Sequence, residues 1–128
     1  MKNIKIIVII VVLLAGIAFF KFNSNKNIDK ENNAQTTDII DGFQQVKLSW
    51  GKLNYEPSEI RLKNNIPVKI IADTNRLTGC YRSFNIPGLG LSKYFNEKDN
   101  ILEFTPEKTG VFKFTCSMGM AGGKLIVE

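Results

Sequence analysis

The stretch Gly110-Val111-Phe112-Lys113-Phe114-Thr115-Cys116-Ser117-Met118-Gly119-Met120-Ala121-Gly122-Gly123-Lys124-Leu125-Ile126-Val127 decides how this chain is read. From Gly110 to Cys116 apolar and polar residues alternate, the period of a strand with one buried face. Phe112, Phe114 and Cys116 then share that face. The glycines at 119, 122 and 123 predict a compact loop, and Lys124 to Val127 a second strand. Outward from this pair the same period recurs in Val46–Trp50, Ile60–Leu62, Pro67–Ala72 and Ile101–Thr105. Turn signals separate the runs at Lys63-Asn64-Asn65, Asp73-Thr74-Asn75, Pro87-Gly88 and Pro106 to Gly110. About six or seven short strands at this spacing predict an all-β sandwich or barrel. No helical period follows residue 41.

The chain of 128 residues divides into three parts. Ile6 to Phe20 carries no charge, and the apolar segment extends from Ile4 to Phe22 with Lys5 and Lys21 near its ends. At about 1.5 Å per residue it reaches roughly 28 Å, close to the hydrocarbon thickness of a bilayer. The two lysines can snorkel to the interfaces. Residues 1–22 are therefore expected to be a membrane anchor helix that crosses through residues 4–22. The rival expectation is a secretory signal cleaved after Ala18, at Gly16-Ile17-Ala18; the apolar run continuing through Phe19 and Phe20 argues against it. Lysines flank both ends, so orientation is not legible from charge. Residues 23–41 are polar and read as a flexible tether. Residues 42–128 are the domain.

Charge excludes one class of partner. Of a net +5, residues 1–37 contribute five lysines against two acids, so most of the excess flanks the anchor. The domain has no basic run and no base-stacking motif, which predicts no nucleic-acid partner. Composition excludes more. With no histidine anywhere, a Ser-His-Asp or Cys-His nucleophile, a histidine zinc site and a blue-copper centre are all ruled out. No paired acids, nucleophile–base pair or phosphate-cradling loop is visible, so neither an enzyme nor a small-molecule substrate is expected.

The sulfurs carry the positive signal. Apart from Met1, all lie in the β domain: Cys80, Cys116, Met118 and Met120. Cys-x-Met-x-Met places three soft donors close together, and Cys80 supplies a second thiol from a loop. Thiolates and thioethers without imidazole suit a soft ion, and Cu(I) is the best match. Zinc would want four stronger donors. Two thiolates and two thioethers suffice for one Cu(I) ion or for two. The bland alternatives are methionines filling core gaps and a structural Cys80–Cys116 disulfide. The disulfide leaves two methionines in a glycine-rich loop unexplained.

The run Phe104-Thr105-Pro106 to Gly110, then Phe112-x-Phe114-x-Cys116-x-Met118-Gly119-Met120-x-x-Gly123-x-Leu125, resembles the last two strands and metal loop of cupredoxin-like domains. Cys80 followed by Ile86-Pro87-Gly88-Leu89-Gly90 fits the same group. With its N-terminal anchor, the whole chain resembles the CupA-type membrane-anchored copper(I) chaperones of Gram-positive bacteria. The resemblance implies a cupredoxin-like Greek-key β-sandwich preceded by one transmembrane helix. It implies that Cys80, Cys116, Met118 and Met120 hold a binuclear Cu(I) cluster. It also implies copper resistance by handing Cu(I) to a copper-exporting P-type ATPase, with the domain on the cytoplasmic face of the cell membrane. The absent histidine departs from blue-copper relatives and removes their electron-transfer chemistry. Two other expectations remain: an extracytoplasmic cupredoxin-like metal or redox module, and a disulfide-bonded structural sandwich.

Overall fold

The computed structural model describes residues 34–128, and before them Ile6 alone. Eleven strands occur among the described residues: β1 (Ala34–Thr36), β2 (Asp38–Ile40), β3 (Phe43–Trp50), β4 (Tyr55–Glu56), β5 (Glu59–Leu62), β6 (Val68–Ala72), β7 (Ser83–Ile86), β8 (Leu91–Tyr94), β9 (Ile101–Phe104), β10 (Gly110–Thr115) and β11 (Gly122–Val127). One sheet runs β1-β5-β11-β10-β7-β8, the other β2-β3-β6-β9, with β4 paired to the end of β3. Sequential strands pair in β2–β3, β7–β8 and β10–β11, the connections β1–β2, β5–β6, β6–β7, β8–β9 and β9–β10 cross the sandwich, and β5 pairs in parallel with both β1 and β11. This is the expected all-β sandwich.

The alternation seen in the sequence is the reason for the layers. Gln44, Val46 and Leu48 of β3 point inward, as do Val68, Ile70 and Ala72 of β6. From the other sheet come Ile60, Leu62, Phe84, Ile86, Phe114, Leu125 and Val127. Each fully buried Leu, Ile or Phe contributes about 1.5–3 kcal/mol by leaving water. Among the described residues Gln44 is the one buried polar side chain, and it is satisfied. Its amide donates to the carbonyls of Lys63 (2.8 Å) and Ile66 (3.0 Å), and its oxygen accepts from the Lys63 backbone. Without those partners an amide in this core would cost about 1–3 kcal/mol.

The strands expected at 46–50, 60–62, 67–72, 101–105, 110–116 and 124–127 are all present, with ends moved by a few residues. The β7–β8 hairpin was not legible. Its strands are four residues each, separated by a 3-10 turn at Pro87–Leu89 that looks like loop in sequence. The anchor expected over residues 1–22 lies outside the described residues, among which no helix is long and apolar enough to cross a membrane. So does most of the tether expected over 23–41. Its last residues, however, form β1 and β2. β2 is exposed throughout, so apolar burial does not order it; its backbone does, by pairing Asp38, Ile39 and Ile40 with Gln45, Gln44 and Phe43.

Candidate metal centre

One end of the sandwich gathers the chemistry. The parallel strands β3 and β6 both finish there, β10 finishes there, and β11 begins there. Cys116 follows β10 directly and is 1% exposed, on the inward side with Phe114. Its backbone N–H donates to the Ala121 carbonyl (3.0 Å), and its carbonyl accepts from Gly119 N–H (3.1 Å) and from the Thr115 hydroxyl (2.8 Å). Gly119 turns the loop at φ +67°, a left-handed conformation that glycine adopts freely. The loop from Ser117 to Ala121 thus closes on itself around the sulfur.

Cys80 sits in the 3-10 turn Gly79–Arg82, after the loop that leaves β6. Arg82 fixes this loop by donating to the carbonyls of Leu77 (2.8 Å) and Thr74 (2.9 Å). The two cysteines, far apart in sequence, are free thiols close enough for each to shift the acidity of the other. The disulfide expected as an alternative is not formed here.

The pair is electrostatically unequal. Burial pushes the Cys80 thiol up, and the neighbouring Cys116 sulfur, to which it donates, pushes it further. Burial also acts to raise Cys116. Backbone N–H groups of Ala121, Met118 and Met120 aimed at its sulfur, with the Cys80 thiol, outweigh that and hold it below the ordinary thiol value. Cys116 is therefore the more acidic thiol of the pair. Met118 and Met120 place their backbone amides on Cys116, while their side chains are 70% and 63% exposed. They are not core filler.

Below the cysteines lies an aromatic layer. Tyr55, Phe84 and Phe114 meet with ring centroids 5.0–5.9 Å apart, and Trp50 stacks on Tyr81 at 3.9 Å. Burial raises the Tyr55 phenol well above its usual range, and the charges of Cys116 and Cys80 add to the shift. Tyr55 was missed in the sequence, where a lone tyrosine before a proline pair-break carries no signal of this neighbourhood.

The donor set fits a soft ion. Two free thiols face each other at one end of the sandwich, two thioethers stand on the loop after Cys116, and imidazole is absent from the whole sequence. Among the described residues no group of three or more Cys, Asp or Glu side chains exists that would suit zinc or a hard cation.

Comparison with known proteins agrees with this architecture. The model of the cupredoxin-like domain matches residues 8–127. The metal-binding domain of the Cu(I)-exporting P-type ATPase CopA of Streptococcus pneumoniae D39, solved with Cu(I), superposes with a TM-score of 0.65 at 25% identity, covering 74% of this chain and 95% of that one. A copper binding protein solved in its apo form by NMR also gives 0.65, at 30% identity, over 74% and 97% of the two chains. A reduced amicyanin variant, at 21% identity, 71% and 87% coverage and a TM-score of 0.52, shares the fold. No protein among the curated sequences matches. The chain belongs to the cupredoxin-like domain family.

Proposed function

We propose that this domain binds Cu(I) through Cys80 and Cys116, with Met118 and Met120 as weaker outer donors, and passes it to a copper-exporting P-type ATPase from a membrane-anchored position. The observation that carries the proposal is the pair of neighbouring free thiols, Cys116 the more acidic, beside the two exposed thioethers of Met118 and Met120. The likeness to a Cu(I)-loaded ATPase domain and to an apo copper binding protein supports it. Thiolates favour Cu(I) strongly; thioethers bind it weakly and at the surface. A cargo ion held first by the buried pair and then by the exposed methionines can leave by stepwise ligand exchange. An anchor over residues 4–22, with the domain on the cytoplasmic side, would raise the local concentration of loaded domain near a membrane exporter.

Anaerobic Cu(I) titration against a competing chelator tests the site. Cys80→Ser and Cys116→Ser should each abolish tight binding. Met118→Ala and Met120→Ala should leave the first equivalent intact and weaken any second one about tenfold, some 1.4 kcal/mol. Unchanged binding in both cysteine variants refutes the proposal. Tag accessibility on either side of the membrane tests the topology.

A further inference from the structure

The two cysteines flank a strand pairing: Cys80 lies in the turn that runs into β7, and β7 pairs with β10, which Cys116 follows. A third segment, Asn54-Tyr55, at the start of the two-residue strand β4, holds both sides of this junction. The Asn54 side chain grips the end of the Cys116 loop: its Nδ2 donates to the Gly122 carbonyl (2.7 Å) and its Oδ1 accepts from Gly122 N–H (2.9 Å). The same Oδ1 accepts from Tyr55 N–H (2.9 Å), which fixes the side chain against its own strand. Tyr55, 2% exposed, reaches the other way. Its hydroxyl donates to the carbonyls of Tyr81 (2.8 Å) and Ser83 (3.2 Å), immediately after Cys80. The Tyr55 ring also packs edge-on against Trp50, whose own ring stacks on Tyr81.

We infer that Asn54 and Tyr55 are positioning residues of the copper site described above, a two-residue brace in which one side chain holds the Cys116 loop and the next holds the Cys80 turn, so that their shared backbone sets the separation of the sulfurs. Neither residue supplies a ligand. The Tyr55 hydroxyl is spent on backbone carbonyls, and Asn54 on Gly122. The brace acts before any ion arrives, by fixing both donors in place and sparing the ion the entropy of ordering two loops. It rests on the Cu(I) reading for its purpose, but the juxtaposition it enforces is measurable without copper.

Tyr55→Phe keeps the ring and removes the hydroxyl proton that the Tyr81 and Ser83 carbonyls share. Two measurements on the full chain are needed. The first is Cu(I) affinity for the tight equivalent, expected to fall about tenfold. The second uses glutathione redox buffer. One oxidised glutathione takes both thiols to a Cys80–Cys116 disulfide and leaves as two reduced glutathiones. The equilibrium constant of that exchange reports how well the thiols are held together, and it should also fall about tenfold. Simple loss of stability would lower the melting temperature of the reduced apo protein while leaving the exchange constant of the folded fraction unchanged. Asn54→Asp, which keeps both accepted bonds and sets a carboxylate oxygen against the Gly122 carbonyl in place of the donation, should move both quantities in the same direction. It carries the test if Tyr55→Phe does not fold. An exchange constant at the wild-type value overturns the brace whatever copper does. A wild-type protein whose exchange constant responds to Tyr55→Phe but whose cysteines bind no Cu(I) overturns the copper reading and leaves the brace standing.

Discussion

Gly123 tolerates a side chain least of any residue near the site. Lys124 N–H donates to the Ser58 carbonyl (2.9 Å), which draws β11 against the β4–β5 connection. A Cβ added at Gly123 would collide with that carbonyl and with the Phe114 ring, both held by the core. Gly119 is the opposite case: its added Cβ would meet nothing within 4 Å, but its φ of +67° penalises any L side chain. Gly123→Ala should cost about 3 kcal/mol through overpacking, and Gly119→Ala about 1–2 kcal/mol through backbone strain alone. Urea denaturation of the apo protein checks the order; equal losses would mean that β11 can step back from Ser58. The sequence showed a glycine-rich loop beside sulfur, and it showed Cys116 on the face of Phe112 and Phe114. It did not show why those glycines are needed, because their obstacles come from Ser58 and Phe114. Tyr55 and Asn54 were hidden for the same reason. The Tyr55 bonds span 26 and 28 residues and the Asn54 bonds span 68, distances over which a single sequence has no period to read.

At the scale of the strand, the outer face of β5 and β11 is held by charge. Glu59 accepts from Lys124 of β11 (2.8 Å) and from Arg61 of its own strand (2.8 Å), and Arg61 also reaches Glu128 (2.9 Å). The Lys124 bond is the main reason that the Glu59 carboxyl lies below the usual glutamate value; burial opposes it, and the Lys124 and Arg61 charges add to it. A carboxylate with a depressed folded pKa stabilises the fold above its unfolded pKa, near 4.3 for glutamate, and loses that contribution as pH falls through the lower folded value. Glu59→Gln should therefore lower the melting temperature at pH 7 and narrow the gap to wild type as the pH drops below about 4. A gap that stays constant from neutral to acid pH would show that Glu59 acts by packing. These ion pairs follow strand register, and register was only partly legible. Alternation gave β5 and β11 their inner faces, yet nothing in the sequence announced that they run parallel and adjacent, since the pairing Lys124 to Glu59 joins residues on either side of five other strands.

For the molecule as a whole, the boundary of the domain lies earlier than composition suggests. The compact unit that holds the sandwich begins at Asn32 and takes in β1 and β2. Composition placed 34–41 in a polar tether because the segment has little to bury, and β2 is indeed exposed along its length. What composition cannot weigh is an unpaired sheet edge. β5 would present a free edge on its outer side without β1, which pairs Ala34, Gln35 and Thr36 with Glu59, Ile60 and Arg61. Between the two short strands Thr37 donates to the Arg61 carbonyl (3.1 Å), tying the crossover to the sheet. The segment thus closes both sheets on one side, by ladder hydrogen bonds whose net value is about 1 kcal/mol each before the ordering entropy of the chain is subtracted. A chain starting at Asn32 should unfold cooperatively and bind Cu(I) as the full chain does, because the site is built from β3 onward. A chain starting at Gly42 should keep that binding and lose about 2 kcal/mol of stability, a fall of several degrees in melting temperature. It should also associate at high concentration through the bared edge of β5. Equal melting temperatures and a monomeric Gly42 form would mean that β1 and β2 add nothing to the fold, and would return residues 34–41 to the tether.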